Sequence, residues 1–387
     1  MYKYYCLNPI DQVGLDKFSD DYVQTDTIED ADALLVRSAN LNDIEIPDSI
    51  KVIARAGAGV NNIPVEDCSK RGIVVFNTPG ANANGVKELA IAGMLLASRD
   101  IVGGIEWVER QQDTTDISKR AEKKKKQFAG CEISGKKLGI IGLGAIGVLV
   151  ANAATHLGME VYGYDPFISV KAAWNLSRTI HHVSDLHQIY KECDYITIHV
   201  PLTKETEKMI NAEAIAKMKE GVVILNFARD LLVDEEELIK ALDAGKVKKY
   251  VTDFANPVVA GNPGTLVTPH LGASTEESEK NCAKMAVKQV RNYLENGNIK
   301  NSVNYPVCDA GICIDVGRIT INHRNIPNMI SKFATVLGDA AVNISDMINK
   351  SKGEYAYTAL DISTPVSEEV VESLKGIDDV YKVRIIK

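Results

Sequence analysis

Lys137-Leu-Gly-Ile-Ile-Gly142-Leu-Gly144-Ala-Ile-Gly147 reads as a buried strand that runs into a glycine turn and then into a helix. Leu138, Ile140 and Ile141 make the short apolar run of a central parallel strand, and Ile146, Leu149, Val150, Ala153 and Ala154 recur at helical spacing. Gly142 permits the tight bend, Gly144 lets a pyrophosphate approach bare backbone, and Gly147 lets the helix pack close to the strand. Phosphates then meet amide N–H groups at a helix N-terminus. The next strand, Val161-Tyr-Gly-Tyr-Asp165, ends in an acid eighteen residues beyond Gly147. A carboxylate there accepts both ribose hydroxyls and repels a 2′-phosphate, so the stretch predicts a dinucleotide site that takes NAD rather than NADP. Its candidate residues are Gly142, Gly144, Ala145, Ile146, Gly147 and Asp165.

Around this stretch, 387 residues with 45% apolar content are enough for two or three domains with real cores. No run is long and apolar enough for a membrane span, and Met1-Tyr-Lys-Tyr-Tyr-Cys6 lacks the apolar core of a signal peptide, so a cytoplasmic enzyme is expected. Seven scattered cysteines without a C-x-x-C pair fit reduced thiols, and no metal is expected. Forty-four basic against 52 acidic residues, a net charge of −8, argue against a general nucleic-acid binder. Lys119-Arg-Ala-Glu-Lys-Lys-Lys-Lys126 nevertheless concentrates six cations in eight residues. Such a run is either a solvated charged face or a positive lip that attracts an anionic substrate, with Lys125 as its candidate contact.

Before the glycine turn, Tyr4–Leu7, Ala33–Val36, Val52–Ala54 and Ile73–Phe76 read as strands of another α/β layer, and Leu89–Ala97 as a helix. Arg37 and Ser38, and the Gly57-Ala58-Gly59 backbone after Arg55, fall at strand carboxyl ends, where open α/β sheets bind ligands. Asn77–Val86 is turn-rich and expected to be a hinge or clamp. After the turn, strands at Tyr195–His199, Val222–Asn226, Tyr250–Asp253 and Thr265–Thr268 complete a doubly wound sheet of six. The segments just after them carry His199-Val200-Pro201, Thr206, Asn226-Phe227-Ala228-Arg229, Asp253, and Pro269-His270-Leu-Gly272. Arg229 can bind a carboxylate bidentately and polarise the adjacent carbonyl. His270 can take the proton of an alcohol as hydride leaves, and return it in reverse. Together with a nicotinamide site, they imply hydride transfer.

These residues resemble the D-isomer-specific 2-hydroxyacid dehydrogenases over nearly the whole chain. The most specific pieces are Gly139–Gly147, His199-Val-Pro-Leu-Thr203, Asn226-Phe-Ala-Arg229 and Thr268-Pro-His-Leu-Gly-Ala-Ser-Thr275, the last resembling the phosphoglycerate branch. The resemblance implies NAD-dependent oxidation of 3-phospho-D-glycerate to 3-phosphohydroxypyruvate, with Arg229 on the substrate carboxylate and His270 as acid/base. It assigns Asp165 to the adenosine ribose and Asp253 to the nicotinamide amide. Besides the glycine-turn residues, His199, Val200, Pro201, Thr206, Phe227, Ala228 and Gly272 are candidates for the cofactor site, and by their location Arg37, Ser38, Ala58, Gly59 and Lys125 for the substrate site. A homodimer closed through the nucleotide domains follows as well, with the basic run reaching the partner. Two departures stand out. The family's glutamate partner of the histidine is missing from a segment two residues short, where Asn256 stands at or next to its place, and Phe227 replaces a smaller residue. A glyoxylate or hydroxypyruvate reductase on the same scaffold, and an NAD-sensing interaction protein with weak catalysis, are the rival readings.

Beyond the helix Glu276 to Leu294, the strand Ile312 to Ile321, an amphipathic helix with Pro327 in its first turn, Asn343-Ile344, the strand Ala356 to Ile362, the helix Glu368 to Lys375 and the strand Val380 to Ile385 follow. This βαββαβ order resembles an ACT domain. His323, Asn325 and Asn343 resemble the serine-binding positions of regulated members, which implies an L-serine effector; a purely structural dimerisation module is the alternative. Asn328 stands where glycine is usual. The expected fold is thus α/β, with two doubly wound Rossmann-like domains and an ACT-like domain. The division is 1–99 with 278–307 for substrate, 100–277 for NAD and 308–387 for regulation.

Overall fold

The computed structural model describes residues 1–111 and 115–386. The chain divides into two compact units, Met1–Asn82 with Glu279–Lys387, and Ala83–Ser278. In the first unit β1 (Tyr2–Cys6), β2 (Tyr22–Gln24), β3 (Ala33–Val36), β4 (Val52–Arg55) and β5 (Val74–Phe76) form a parallel sheet in the order β2-β1-β3-β4-β5. Apolar runs mark four of these strands in the sequence. β2 has only three residues, two of them exposed, too few to show a period. The helix Glu276–Asn296 buries Ala286, Val287, Val290 and Tyr293 in the same core as Val52, Val74 and Phe76. The chain then rejoins the sheet, where Asn304 Oδ1 accepts the Val75 N–H at 2.9 Å.

The second unit holds β6 (Lys137–Ile141), β7 (Glu160–Tyr164), β8 (His181–His182), β9 (Tyr195–Ile198), β10 (Val222–Asn226), β11 (Val247–Thr252) and β12 (Thr265–Val267), parallel in the order β12-β11-β10-β9-β6-β7-β8. The six expected strands are joined by the two-residue edge strand β8, which has no sequence signature. Strand order reverses between β6 and β9, so the loops after these two strands flank the crevice where doubly wound sheets bind ligands. The helix Ala83–Ser98 begins six residues before the expected Leu89, so the last four of the ten residues expected as a hinge are helix. Asn84 Nδ2 donates to Glu88 Oε1 at 2.8 Å across one turn, which stabilises that exposed polar start. Glycine at 93 lets this helix sit close on the sheet, since a Cβ there would lie 3.0 Å from Val251 Cγ1 and 3.3 Å from the Phe227 ring.

The C-terminal sheet is antiparallel, with β13 (Gly317–Arg324), β14 (Ile344–Lys352), β15 (Tyr355–Ile362) and β16 (Val380–Ile386) in the order β14-β15-β13-β16. The helices Met329–Asp339 and Glu368–Lys375 complete the βαββαβ order. Three boundaries differ from the sequence reading. β13 starts at Gly317 rather than Ile312, because Ile312 and Ile314 are exposed and unpaired in a strand. The helix starts at Met329, leaving Pro327 before it, and Asn328 takes the left-handed conformation, φ 68°, that Asn tolerates better than most residues. β14 is a nine-residue strand exposed over most of its length, so it lacks the apolar alternation that marks a half-buried strand. Among the described residues no helix is long and apolar enough to cross a membrane.

Candidate active site

At the carboxyl end of β6 the three glycines do different physical work. Gly142 has φ +96°, and a Cβ there would lie 2.6 Å from the His199 carbonyl oxygen. A Cβ on Gly147 would lie 1.9 Å from the Gly142 carbonyl oxygen, so only glycine lets the helix Ala145–His156 start this close to the strand. A Cβ on Gly144 would meet nothing within 4 Å: this position faces open space. No side chain caps this helix start, leaving the first-turn amides around Ala145 and Ile146 directed at that space. Asp165 closes the turn, with Oδ2 accepting the Leu143 N–H and Oδ1 the Phe167 N–H, both at 2.9 Å. Open backbone, bare helix amides and an adjacent carboxylate fit a dinucleotide.

Across the crevice, after β9, the ring of His199 is buried, with Nε2 bonded to Thr197 Oγ1 at 2.9 Å and Nδ1 lacking a partner. Burial pushes its pKa down to about 4, so the imidazole is neutral. The loop through Val200 and Pro201 is braced by Thr206, whose Oγ1 donates to the Pro201 carbonyl at 2.7 Å. After β10, the fully buried Asn226 shapes the next segment. Its Nδ2 donates to the Arg229 carbonyl at 2.8 Å, and its Oδ1 accepts the Ala228 N–H at 3.2 Å. Arg229 is exposed at the end of that turn, and its guanidinium folds back on the Ala228 carbonyl at 2.6 Å. Phe227 points into the core with Leu225 and Val251, so it offers a ligand only its main chain.

Asp253 follows β11 and is 1% exposed. Its Oδ2 accepts the Gly272 N–H at 2.8 Å, while its Oδ1 is buried with no partner. Burial raises its pKa, opposed by the Gly272 N–H and by the charge of His270. His270 is exposed, edge-on to the Phe254 ring at 5.0 Å. Asn256 does not turn toward that histidine. Its Oδ1 accepts the Val258 and Val259 N–H groups at 2.9 and 3.2 Å, and its Nδ2 donates to Glu235 Oε2 at 2.7 Å. Glu235, whose other oxygen is buried without a partner, has its pKa raised by burial against the pull of the Asn256 hydrogen bond. Neither Asn226 nor Glu235 stood out as a functional group in the sequence. A lone amide closing the apolar run Val222–Leu225 was Asn226's one available signal.

In the first unit, Arg37 pairs with Glu279 at 2.5 Å. The Arg37, Ser38 and Ala39 N–H groups converge on Asn8 Oδ1 at 3.2, 3.1 and 2.8 Å. Arg55 props the following loop, donating to the carbonyls of Arg37 and Gly59, and Asn77 holds the Ala58 carbonyl at 2.6 Å. The basic run lies on the exposed helix Ile117–Lys124 and the turn after it, with Lys125 paired to Glu122. In the C-terminal sheet the buried His323 has both ring nitrogens engaged, by the Arg324 carbonyl at 2.8 Å and by Thr358 Oγ1 at 2.9 Å. Asn325 and Asn343 are exposed, and their amides reach the Gly353 carbonyl and Ser363 Oγ at 3.0 and 2.9 Å.

Residues 91–272 match the model of the D-isomer-specific 2-hydroxyacid dehydrogenase NAD-binding domain. The chain is 38% identical over 275 residues to a hydroxypyruvate reductase of Thermotoga maritima, covering 68% of this chain and 85% of that one. It is also 31% identical to an NAD+-bound 3-phosphoglycerate dehydrogenase of Entamoeba histolytica, with a TM-score of 0.61 over 78% of this chain and 98% of that structure. The chain belongs to the D-isomer-specific 2-hydroxyacid dehydrogenases. Within this family it is 40% identical over 288 residues to a D-3-phosphoglycerate dehydrogenase of Methanocaldococcus jannaschii, covering 72% of this chain. The match spans 53%, about half, of that relative's length. The glycine turn, the His199 loop and the Arg229 turn all lie inside the stretch that the family's NAD-binding domain matches.

Proposed function

We propose that this chain oxidises 3-phospho-D-glycerate to 3-phosphohydroxypyruvate with NAD, the entry step of serine synthesis in the cytoplasm. The observation that carries the reading is Arg229 and His270 standing exposed after β10 and β12 of the sheet whose β6 ends in the open glycine turn. The relatives named phosphoglycerate dehydrogenase support the choice of substrate. Gly142, Gly144, Gly147 and the helix amides would hold the pyrophosphate, Asp165 the ribose and Asp253 the nicotinamide amide. NAD, when bound, supplies the hydride acceptor. Arg229 turns its fork from the Ala228 carbonyl to the substrate carboxylate, which fixes the C2 hydroxyl. His270 takes the hydroxyl proton in oxidation, and its protonated form returns the proton to the ketone in reduction. An NAD-reduction assay over a panel of 2-hydroxy acids and their phosphorylated relatives tests the assignment. Preference for an unphosphorylated acid would instead make the chain a hydroxypyruvate reductase.

The division of labour is residues 1–99 with 278–307 for substrate, 100–277 for NAD and 308–387 for regulation. A homodimer through the NAD part is supported by the helix Ile101–Glu109, none of whose residues is buried and whose Ile105 and Val108 are 54% and 47% exposed. Lys123 to Lys126 recognise the substrate phosphate in this reading. Glutamine at all four should raise KM for phosphoglycerate at least several-fold more than KM for an unphosphorylated acid, with kcat little changed. Equal effects on both substrates would remove the phosphate role. Serine would bind across two C-terminal sheets through Asn325 and Asn343, the exposed amides, while the enclosed His323 sets the shape of its turn. Millimolar serine should then inhibit the wild type, and Asn343→Ala should relieve inhibition with activity at zero serine intact. Absence of binding heat in calorimetry would leave the sheet a structural part.

A further inference from the structure

Three consecutive N–H groups, those of Arg37, Ser38 and Ala39, point at one atom, Asn8 Oδ1, at 3.2, 3.1 and 2.8 Å. Successive amides turned toward a single point make the concave nest in which proteins hold anions, and here a neutral side chain of the same chain fills it. We propose that Asn8 is the positioning residue of the substrate loop, setting the main chain of residues 37–39 so that the Arg37 guanidinium and the Ser38 hydroxyl are presented to an anionic substrate. This rests on the reading of that loop as part of the substrate site.

The arrangement follows from where Asn8 stands. β1 and β3 are neighbours in the sheet, and the Leu7 N–H bonds to the Leu35 carbonyl at 3.0 Å, which carries the chain after β1 alongside the end of β3. Pro9 restricts Asn8 to extended backbone and has no N–H of its own to offer. An asparagine in a turn commonly bonds to the main chain two residues on, whereas this one reaches amides 29, 30 and 31 residues away.

The carbonyl side of the loop is claimed as well. The Arg37 carbonyl accepts Arg55 Nε at 3.0 Å, and the Ala39 carbonyl accepts Asn62 Nδ2 at 2.7 Å. Side chains from three separate segments thus hold this main chain, and what the loop has left for a ligand is its own side chains. Ser38 is exposed. Arg37 is paired with Glu279 at 2.5 Å, but both side chains are about two-fifths exposed, at 42% and 40%, so the pair is weak enough to be exchanged for a substrate anion. A loop ordered before its ligand arrives loses less freedom on binding, and all three amides of this one depend on a single acceptor.

The test separates the order of the loop from its use. Asn8→Ala removes the shared acceptor, and Asn8→Asp keeps one on a side chain of the same shape. In the full-length protein, hydrogen–deuterium exchange of residues 36–40 should be at least about tenfold faster in Asn8→Ala and close to wild type in Asn8→Asp. KM for 3-phosphoglycerate should rise roughly three- to thirtyfold in Asn8→Ala with kcat within about twofold, the pattern of binding lost equally from ground and transition states. Exchange that stays slow in a folded Asn8→Ala, or that speeds up equally in Asn8→Asp, overturns the proposal. A KM that falls in Asn8→Ala overturns it too, because the substrate anion would then be taking the emptied nest with Asn8 as its competitor. Arg37→Gln tests the reading underneath. A raised KM in Arg37→Gln with an unchanged KM in Asn8→Ala keeps the loop in the substrate site and removes Asn8 from its support. No change in Arg37→Gln takes the loop out of that site, and the proposal with it, whatever the exchange shows.

Discussion

Replacing His270 by asparagine should lower kcat/KM in both directions by roughly 10²–10⁴-fold, the usual contribution of a positioned general acid/base. The ring is exposed and stands nearly perpendicular to the Phe254 ring, so the substitution removes little packing and the fold should survive it. NAD affinity, read by quenching of protein fluorescence, should change by less than about threefold, because the glycine turn and Asp165 stand on other strands. The loss should appear in kcat more than in KM, as for an interaction made in the transition state. Arg229→Gln is the complementary case. It should raise KM for every substrate with a carboxylate next to the reacting carbon, by removing a bidentate charged contact. Activity of His270→Asn within tenfold of wild type would move the proton-transfer role to another group.

The part of the fold that could be read from the sequence is the part under strong local constraint. Gly142, Gly144 and Gly147 each meet a different steric demand, two of them from backbone less than 3 Å away and one from empty space, and no other residue type satisfies all three. The central strands were legible because burial on both faces forces continuous apolar runs, as in Ile140-Ile141 and Val222–Leu225. Where burial is weak the signal fades: β2, β8 and β14 are edge strands, exposed over much of their length, and nothing in their composition had to announce them. Asn77–Val86 misled because polar residues on the open face of a helix look like a loop until the partner at i+4, here Glu88, is counted.

The candidate side chains could be picked out by position, and their hydrogen-bond partners could not. Arg229 and His270 could be picked out as the ionisable residues just after strands. That Asn226 holds the Arg229 turn, that Glu235 engages Asn256 from twenty-one residues away, and that Asn8 fills the amides of Arg37 to Ala39, depend on loop paths with no periodicity. The orientation of Asn256 shows why a missing residue is hard to interpret from sequence: its place in the chain suggested a substitute for glutamate, while two backbone N–H groups decided where its oxygen points.

Arg318→Ala should destabilise the protein by about 3–5 kcal/mol, the cost of leaving half of a buried ion pair behind. Arg318 has no exposed surface, and its guanidinium meets Asp361 Oδ2 at 2.8 Å together with the carbonyls of Asn296 and Gly311 at 2.8 Å and Ala310 at 2.9 Å. Asn296 ends the helix that begins at Glu276, and a second buried arginine, Arg384, reaches the Tyr293 and Leu294 carbonyls at 3.3 and 3.1 Å while lying over the Tyr293 ring at 4.3 Å. Carbonyls in the last turn of the helix thus meet cations, with the dipole in the favourable sense. Alanine at 318 strands Asp361 and the carbonyls of Asn296 and Ala310 at once, while the Gly311 carbonyl keeps Asn298 Nδ2 at 3.0 Å. Both β13 faces are therefore occupied, Ile319 and Ile321 by the sheet's own helices and Arg318 by the long helix, so the C-terminal sheet is built into the first unit rather than hung from it. Urea unfolding of the full chain measures the loss. Arg318→Met with Asp361→Leu should restore much of it, because removing both charges leaves an apolar pair of similar volume in place of an orphaned carboxylate. A drop of under about 1 kcal/mol in Arg318→Ala would mean that the helix carbonyls are satisfied without it, and that apolar contacts alone bind the sheet to the unit.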